Sequence, residues 1–499
     1  MYNGYYRTWV LQSVVLALLS IFIVLDCPLL IGQSISEQGG SLSTQALPEH
    51  VQPCSTDGIN STRPELHFPF LRFDEDWSFL RCGDGSHDRW DRLKFIPLHG
   101  DGSAYLSLGG DAREVYEVYD YQYWGDGPQD RGGWVDQHFL GHADLHLGAH
   151  FRIFGELQSA FENGRHGGPR PYDNDKLDIH QAFADYAPSE GGDKFLLRVG
   201  RQELYFGSGR LVDARFGLNT RISFDGFRMT TKIHRMKVDG FTTRPTLQRP
   251  GYFDDTPDSQ KMFWGIYGTT PLTRSANLDV YYLGFNSKHQ TFAKGSGQLM
   301  LHTLGGRLFG QSRNLDFDNE INAQVGLFGN GDVRAWSVSL SHGYTFSSRR
   351  ASPRLSLHSD VTSGDNGTHD RLGTFFPLYA KGKYFGEADL NGPSNTIDLI
   401  PQIDLHLHSG ITLSTSYGAF WRESTHDGIY GFAGNLYKTG GNGNARLIGQ
   451  QAEVDMNFLV APHTMVRAVY EHFFSGPFLQ QNPPGHNVNY ATVWFDYHF

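Results

Sequence analysis

Cysteine is nearly absent, with three in 499 residues (Cys27, Cys54 and Cys82), so disulfides cannot be what creates the fold. Lysine is scarce as well, 11 against 31 arginines, and the formal net charge of −11 argues against a nucleic-acid partner, because a phosphate-binding surface needs excess Lys and Arg. Mean hydropathy is −0.42, which excludes a helical membrane bundle. The chain also has no GxSxG elbow, no phosphate-binding loop and no HExxH pair. No motif therefore names a catalytic class.

What the chain does contain begins with Arg7 and a long apolar run, Trp9 to Ile31, broken by Asp26 and Pro28. We read residues 1–34 as a secretory signal peptide. A retained membrane helix is the alternative its length permits, and Asp26, where a small residue is expected, disfavours lipid attachment at Cys27. Residues 35–67 are rich in Ser, Gln, Gly and Pro and read as a flexible linker. Cys54 and Cys82 could form a bridge there in an oxidising compartment. Residues 68–103 mix aromatics and charges without a period, and are expected as an irregular segment at the periplasmic mouth of the C-terminal barrel.

The rest of the chain, 104–499, alternates. In its last ten residues Ala491, Val493, Phe495, Tyr497 and Phe499 share one face, and Tyr490, Thr492, Trp494, Asp496 and His498 the other. A period-2 strand ending on an aromatic residue reads as the closing strand of a bacterial outer-membrane barrel, with its apolar face to lipid. Similar segments recur and predict about 18 strands, beginning at 104–120 and 134–148 and ending at 463–475 and 487–499. The fold class expected is all-β, a transmembrane antiparallel β-barrel of outer-membrane type. Counting back from Phe499 predicts long outer loops at 121–133, 245–260, 363–395, 424–445 and 476–486, and short inner turns at 232–233, Ser409 and 461–462. The short outer link near Gly331 breaks that rule.

Parity then sorts the side chains. Asp316, Asp318, Glu320, Asn322 and Gln324 oppose Phe317, Ile321, Ala323, Val325 and Leu327, polar in and apolar out. By the same count the lumen receives Asp111, Arg113, Glu117, Arg152, Glu156, Asp178, Arg354, Asp360, Asp398, Asp404, Arg422, Arg467 and Glu471. Arginine and carboxylate ladders across strands would hold such a wall open and offer alternating charge to a passing solute. In the Gly- and Arg-rich stretch 198–229, Arg210, Arg215 and Arg221 could fold inward as a cationic constriction, or lie solvated on an outer loop. His138, His142 and His146 share one parity, but positions four apart in a strand lie about 13 Å apart, too far to share one ion. A site built from His142, Asp144 and His146, or from His406 and His408, would need a neighbouring strand to complete it. No metal or cofactor is expected.

Several runs resemble the alginate export family of outer-membrane barrels: RFDEDWSFL from Arg72, YLSLGGDAREVYEVYD from Tyr105, GRQELYFGSGRLV from Gly200, and FDGFRM from Phe224. SGD from Ser363, LGTFFPLYAKGKYFG from Leu372, FWRESTHDGIY from Phe420 and HFFSGPFL from His472 extend the resemblance over about residues 70 to 499. It implies a barrel with an Arg-rich constriction passing an anionic exopolysaccharide, and by matching positions it implies pore roles for Arg113, Glu117, Arg201, Glu203, Arg210, Arg221, Asp225 and Arg422. Arg152 joins them by parity alone. The inward acids Asp316, Asp318 and Glu320 depart from that pattern, since unpaired carboxylates repel a polyuronate. The expected function is a channel for anionic or polar polysaccharide or saccharide. A small-solute porin is the alternative, as is a barrel hydrolase using a pair such as His358 and Asp360. Expected partners are outer-membrane lipid, the barrel-assembly machinery through the C-terminal strand, and periplasmic polymer-delivery proteins.

Overall fold

The computed structural model describes residues 66–499 apart from 83–87, 101, 189–194, 369, 409 and 442–443. The leader, nearly all of the linker, Cys54, the side chain of Cys82 and the turn at Ser409 lie outside the described residues.

Eighteen antiparallel strands form one closed sheet. They are β1 (Ala104–Asp120), β2 (Trp134–Leu147), β3 (Phe151–Asn163), β4 (Asp175–Tyr186), β5 (Phe195–Gln202) and β6 (Phe224–Ile233). Then come β7 (Met236–Leu247), β8 (Lys261–Pro271), β9 (Ala276–Phe292), β10 (Gly295–Ser312), β11 (Leu315–Phe328) and β12 (Gly331–Thr345). The last six are β13 (Arg354–Thr362), β14 (Thr396–His408), β15 (Ile411–Arg422), β16 (Leu447–Ala461), β17 (Thr464–Ser475) and β18 (Val488–His498). Each pairs with its sequence neighbour, and β1 closes on β18 with Arg113 opposite Asp496 and Tyr116 opposite Val493. Closure removes both sheet edges, so every ladder can be satisfied in lipid.

The outward parity is apolar and exposed, with Ile321 at 62%, Phe227 at 55% and Phe495 at 47%. In β18 the opposite face, Tyr490, Thr492, Trp494 and Asp496, is buried, as the alternation predicts. Long connections gather at one end of the barrel and short ones at the other. Besides the link before Gly331, the two residues between β9 and β10 break the loop-length rule, because that hairpin runs on to Phe292 before it turns.

The polar-in rule fails along one side. Phe224, Phe241, Phe263, Tyr267, Tyr281, Leu283 and Phe285 are lumen-facing and buried. The connections at 203–223 and 363–395 cover them by folding into the barrel. Phe206 packs 5.3 Å from Phe241 and 5.0 Å from Tyr267, while Tyr379 lies 5.0 Å from Phe263 and 4.9 Å from Phe224. The hydrophobic core of this protein thus lies inside its lumen, and those strands are apolar on both faces. Glycines permit the inward path: Gly207 and Gly209 adopt φ of +64° and +75°, and a Cβ at Gly207 would lie 2.7 Å from Tyr267 Oη.

Residues 66–82 and 88–98 enter the opposite end, where the C-terminus lies. Phe73 packs edge-on at 5.5 Å from Phe183 and 6.2 Å from Phe154, and Arg72 pairs with Asp111 of β1. Phe499 extends the β18 ladder onto Gly110, with 3.0 Å hydrogen bonds both ways, and its ring lies 4.8 Å from that of Trp90.

Candidate conduction path and its charged lining

Most of the residues singled out in the sequence do converge inside the barrel, but nearly every charge there is matched. Arg113 donates to the carbonyls of Phe216 at 2.7 Å and Leu218 at 2.6 Å, and lies between the rings of Phe216 and Trp494. It fixes the inward loop to β1. Glu117 accepts from Lys383 Nζ at 2.8 Å and Tyr490 Oη at 2.9 Å, anchoring the second loop to the same wall. Arg152 forks onto Asp144, with both bonds at 2.7 Å.

The Arg-rich segment folds inward but does not make a bare cationic ring. Arg210 reaches across to β11, donating to Asp318 at 2.8 Å and Glu320 at 3.2 Å. Arg221 donates to Glu203 at 2.8 Å and to the Phe70 carbonyl at 3.0 Å, and Glu203 also faces His180 Nε2 at 2.8 Å. The loop acids are buried too, and burial pushes the Asp213 carboxyl up to about 6.

Three expected pore residues sit elsewhere. Arg201 and Asp225 pair at 3.0 Å on the outward parity, shared with the exposed Val199 and Phe227, and Arg201 also donates to the carbonyl of Asp255. They fasten the 248–260 loop to the outside of the wall and do not line the lumen. Arg422 has inward parity but is fully buried, donating to the carbonyls of Thr425, Asp427, Gly440 and Ala445. Its charge is spent on ordering the 423–446 loop.

Other inward-facing charges form a repeated unit. Arg307 gives Nε and Nη2 to Asp318 at 2.8 and 2.6 Å, and Nη1 to Asp279 at 3.1 Å. Arg354 repeats this with Asp316 at 3.0 and 2.7 Å and with Asp404 at 3.0 Å. Arg467 does so with Asp455 at 3.1 and 2.9 Å and with Glu387 of the inward loop at 2.8 Å. One guanidinium fork per pair of carboxylates is the planar match that lysine cannot supply. Parity identifies Arg354 and Arg467. It misses Arg307, in a Gly-rich strand, and Lys381 and Lys383, on a loop with no period to read.

A closed barrel of even strand number, apolar to the outside and charged within, is a porin-like outer-membrane β-barrel. Solved structures of Pseudomonas aeruginosa proteins share the fold. OccK3 (OpdO) superposes with a TM-score of 0.54 at 12% identity over 79% of this chain and 95% of that one. OpdK, solved with vanillate, gives 0.54 at 12% over 79% and 98%, and OccD3 (OpdP) 0.52 at 12% over 82% and 93%. No curated protein matches the chain. The family model described as alginate export matches residues 104–493, and the chain belongs to that family.

Proposed function

We propose that the barrel passes an anionic or polar polysaccharide or saccharide across the outer membrane through its arginine-lined lumen, without turnover or a cofactor. The carrying observation is the partly exposed fork of Arg354 between Asp316 and Asp404, which offers guanidinium donors beside carboxylate acceptors to a hydroxyl- and carboxylate-bearing solute, with the same unit repeated, buried, on Arg307 and Arg467. The inward acids that depart from the family pattern, Asp316, Asp318 and Glu320, are each held by an arginine. A small-solute porin is the second reading. It is favoured by the junction of the two inward loops, which takes up part of the cross-section.

Residues 66–82 and 88–98 sit at the end of the short turns, the periplasmic end in barrels of this type, so a polymer-delivery partner would meet them first. Exposed Phe495 and its strand are the surface the barrel-assembly machinery would handle. The reading is tested with the refolded full chain in planar bilayers. We expect a steady ion current that soluble uronate oligomers reduce from one side, and absence of any current would overturn it. Current that neutral sugars and uronates leave equally unchanged would favour the small-solute porin.

A further inference from the structure

The β13–β14 ladder pairs His358 with Ile400 and Val361 with Ile397, which sets Asp360 directly opposite Asp398 on the lumen face. Both carboxylates are buried, at 0% and 1% exposure. Like charges opposed across a strand pair destabilise it, more so without water. The outer oxygens are engaged: Tyr384 Oη donates to Asp360 Oδ2 at 2.9 Å, and the Asp360 amide to Asp398 Oδ2 at 3.1 Å. The inner oxygens turn toward His358, whose Nε2 lies 3.3 Å from Asp360 Oδ1 and 4.0 Å from Asp398 Oδ1. Asp398 Oδ1 is buried with no hydrogen-bond partner.

The geometry points to a binding site for a divalent cation of the zinc class, held by His358 Nε2, Asp360 Oδ1 and Asp398 Oδ1 on the lumen face of β13 and β14. The three donor atoms lie within 4.8 Å of one another, so a small inward movement brings them to the roughly 2.0–2.2 Å that zinc takes from imidazole and carboxylate. One nitrogen and two oxygens suit a borderline metal better than calcium or magnesium, which prefer oxygen alone. Tyr384 supplies the outer hydrogen bond that orients a ligating carboxylate. His358 is 27% exposed, which leaves a coordination position open toward the lumen. Other acidic groups differ. Glu203 is neutralised by Arg221 and Asp173 by Arg170, and Asp178 Oδ2 accepts two backbone amides. At the β13–β14 site the cation would neutralise the opposed pair and, through Tyr384, steady the inward loop.

The test uses the refolded full chain, stripped with chelator and dialysed against zinc chloride, with metal content and melting temperature as readouts. We expect one tightly held zinc per chain and a higher melting temperature. Asp398→Asn and His358→Asn should abolish both effects. Tyr384→Phe, which keeps all three ligands, should weaken binding about tenfold, and a His406→Asn, His408→Asn double variant should bind as wild type. Cobalt substitution should give a tetrahedral visible band in wild type that Asp398→Asn lacks. Barrel folding of each variant is checked independently by heat-modifiable gel migration. Equal zinc content in wild type and Asp398→Asn overturns the site. So does failure of zinc to bind with Asp398→Asn more stable than wild type, which would mean the two carboxyls simply share a proton.

Discussion

Val212 and Tyr379 form a parallel β-bridge inside the barrel, with the Asp213 amide donating to the Tyr379 carbonyl and the Tyr379 amide to the Leu211 carbonyl, both at 2.9 Å. One comes from the 203–223 loop and the other from 363–395, so two connections that leave distant parts of the wall meet in mid-lumen. The Tyr379 ring then closes on Phe224, Phe263 and Phe285, tying the junction to the wall.

Truncating that ring should loosen both loops together. Tyr379→Ala removes a fully buried aromatic side chain and should lower stability by about 3–5 kcal/mol. In bilayers the variant should show larger and noisier conductance, since the loops no longer brace each other. An unchanged current with lowered melting temperature would mean that the junction stabilises the fold without setting the bore.

Selectivity should follow exposure, not arginine content. Arg354 is 22% exposed between Asp316 and Asp404, so Arg354→Gln leaves two carboxylates facing the lumen and should move the reversal potential toward cations. The shift should shrink as salt rises, because partly exposed charges are screened within about 10 Å at 0.1 M. Arg422→Gln should leave the reversal potential where it was and lower the melting temperature, since that buried guanidinium holds the carbonyls of Thr425, Asp427, Gly440 and Ala445 and stacks on the Phe478 ring. Equal shifts in the two variants would contradict this division of roles.

Arg201→Gln and Asp225→Asn should likewise leave selectivity untouched. Their expected effect is on the outer surface, where Arg201 also holds the Ile179 carbonyl at 2.9 Å and the pair fastens the 248–260 loop, so protease sensitivity of that loop is the measurement. A changed reversal potential in either variant would place the pair on the ion path after all.

The fate of these residues shows what the sequence encodes openly. Alternation is a local property, so β18 and β1 were legible to within a residue, and with them the inward parity of Arg113 and Asp496. Parity fails where glycine uncouples neighbours. Gly200, at φ +131°, precedes Arg201, and the strand ends at Gln202 before the chain turns into the lumen. The path of a loop has no period at all. Nothing local in 363–395 says that it lies inside the barrel, and the only signal was indirect: Phe241, Phe263 and Tyr281 are apolar at positions where a wet lumen would want polarity. Buried aromatics on the lumen parity imply something packed against them. The arginine forks were half legible, since parity gives Arg354 and Arg467 as donors but misses Arg307, and the carboxylates of each fork come from other strands or a loop.

Asp389 should make the inward loop pH-sensitive. Burial pushes its carboxyl up to about 7, opposed by the nearby Arg170 and Lys383, and it lines a cavity of about 20 Å³ with both of them. Its Oδ1 is buried without a hydrogen-bond donor, so the ionised form is poorly served. The sign follows from linkage. A carboxyl whose folded value exceeds its unfolded value of 3.8 contributes stability that is complete below that value and is lost as pH rises through about 7. The loop should therefore be held most firmly below about pH 4 and loosen progressively as pH rises to about 7. Conductance noise and proteolysis within 363–395 should both rise over that window, and Asp389→Asn, which keeps the shape and removes the titration, should flatten the profile. A wild-type profile that is flat, or one that tightens as pH rises, would rule Asp389 out as the sensor.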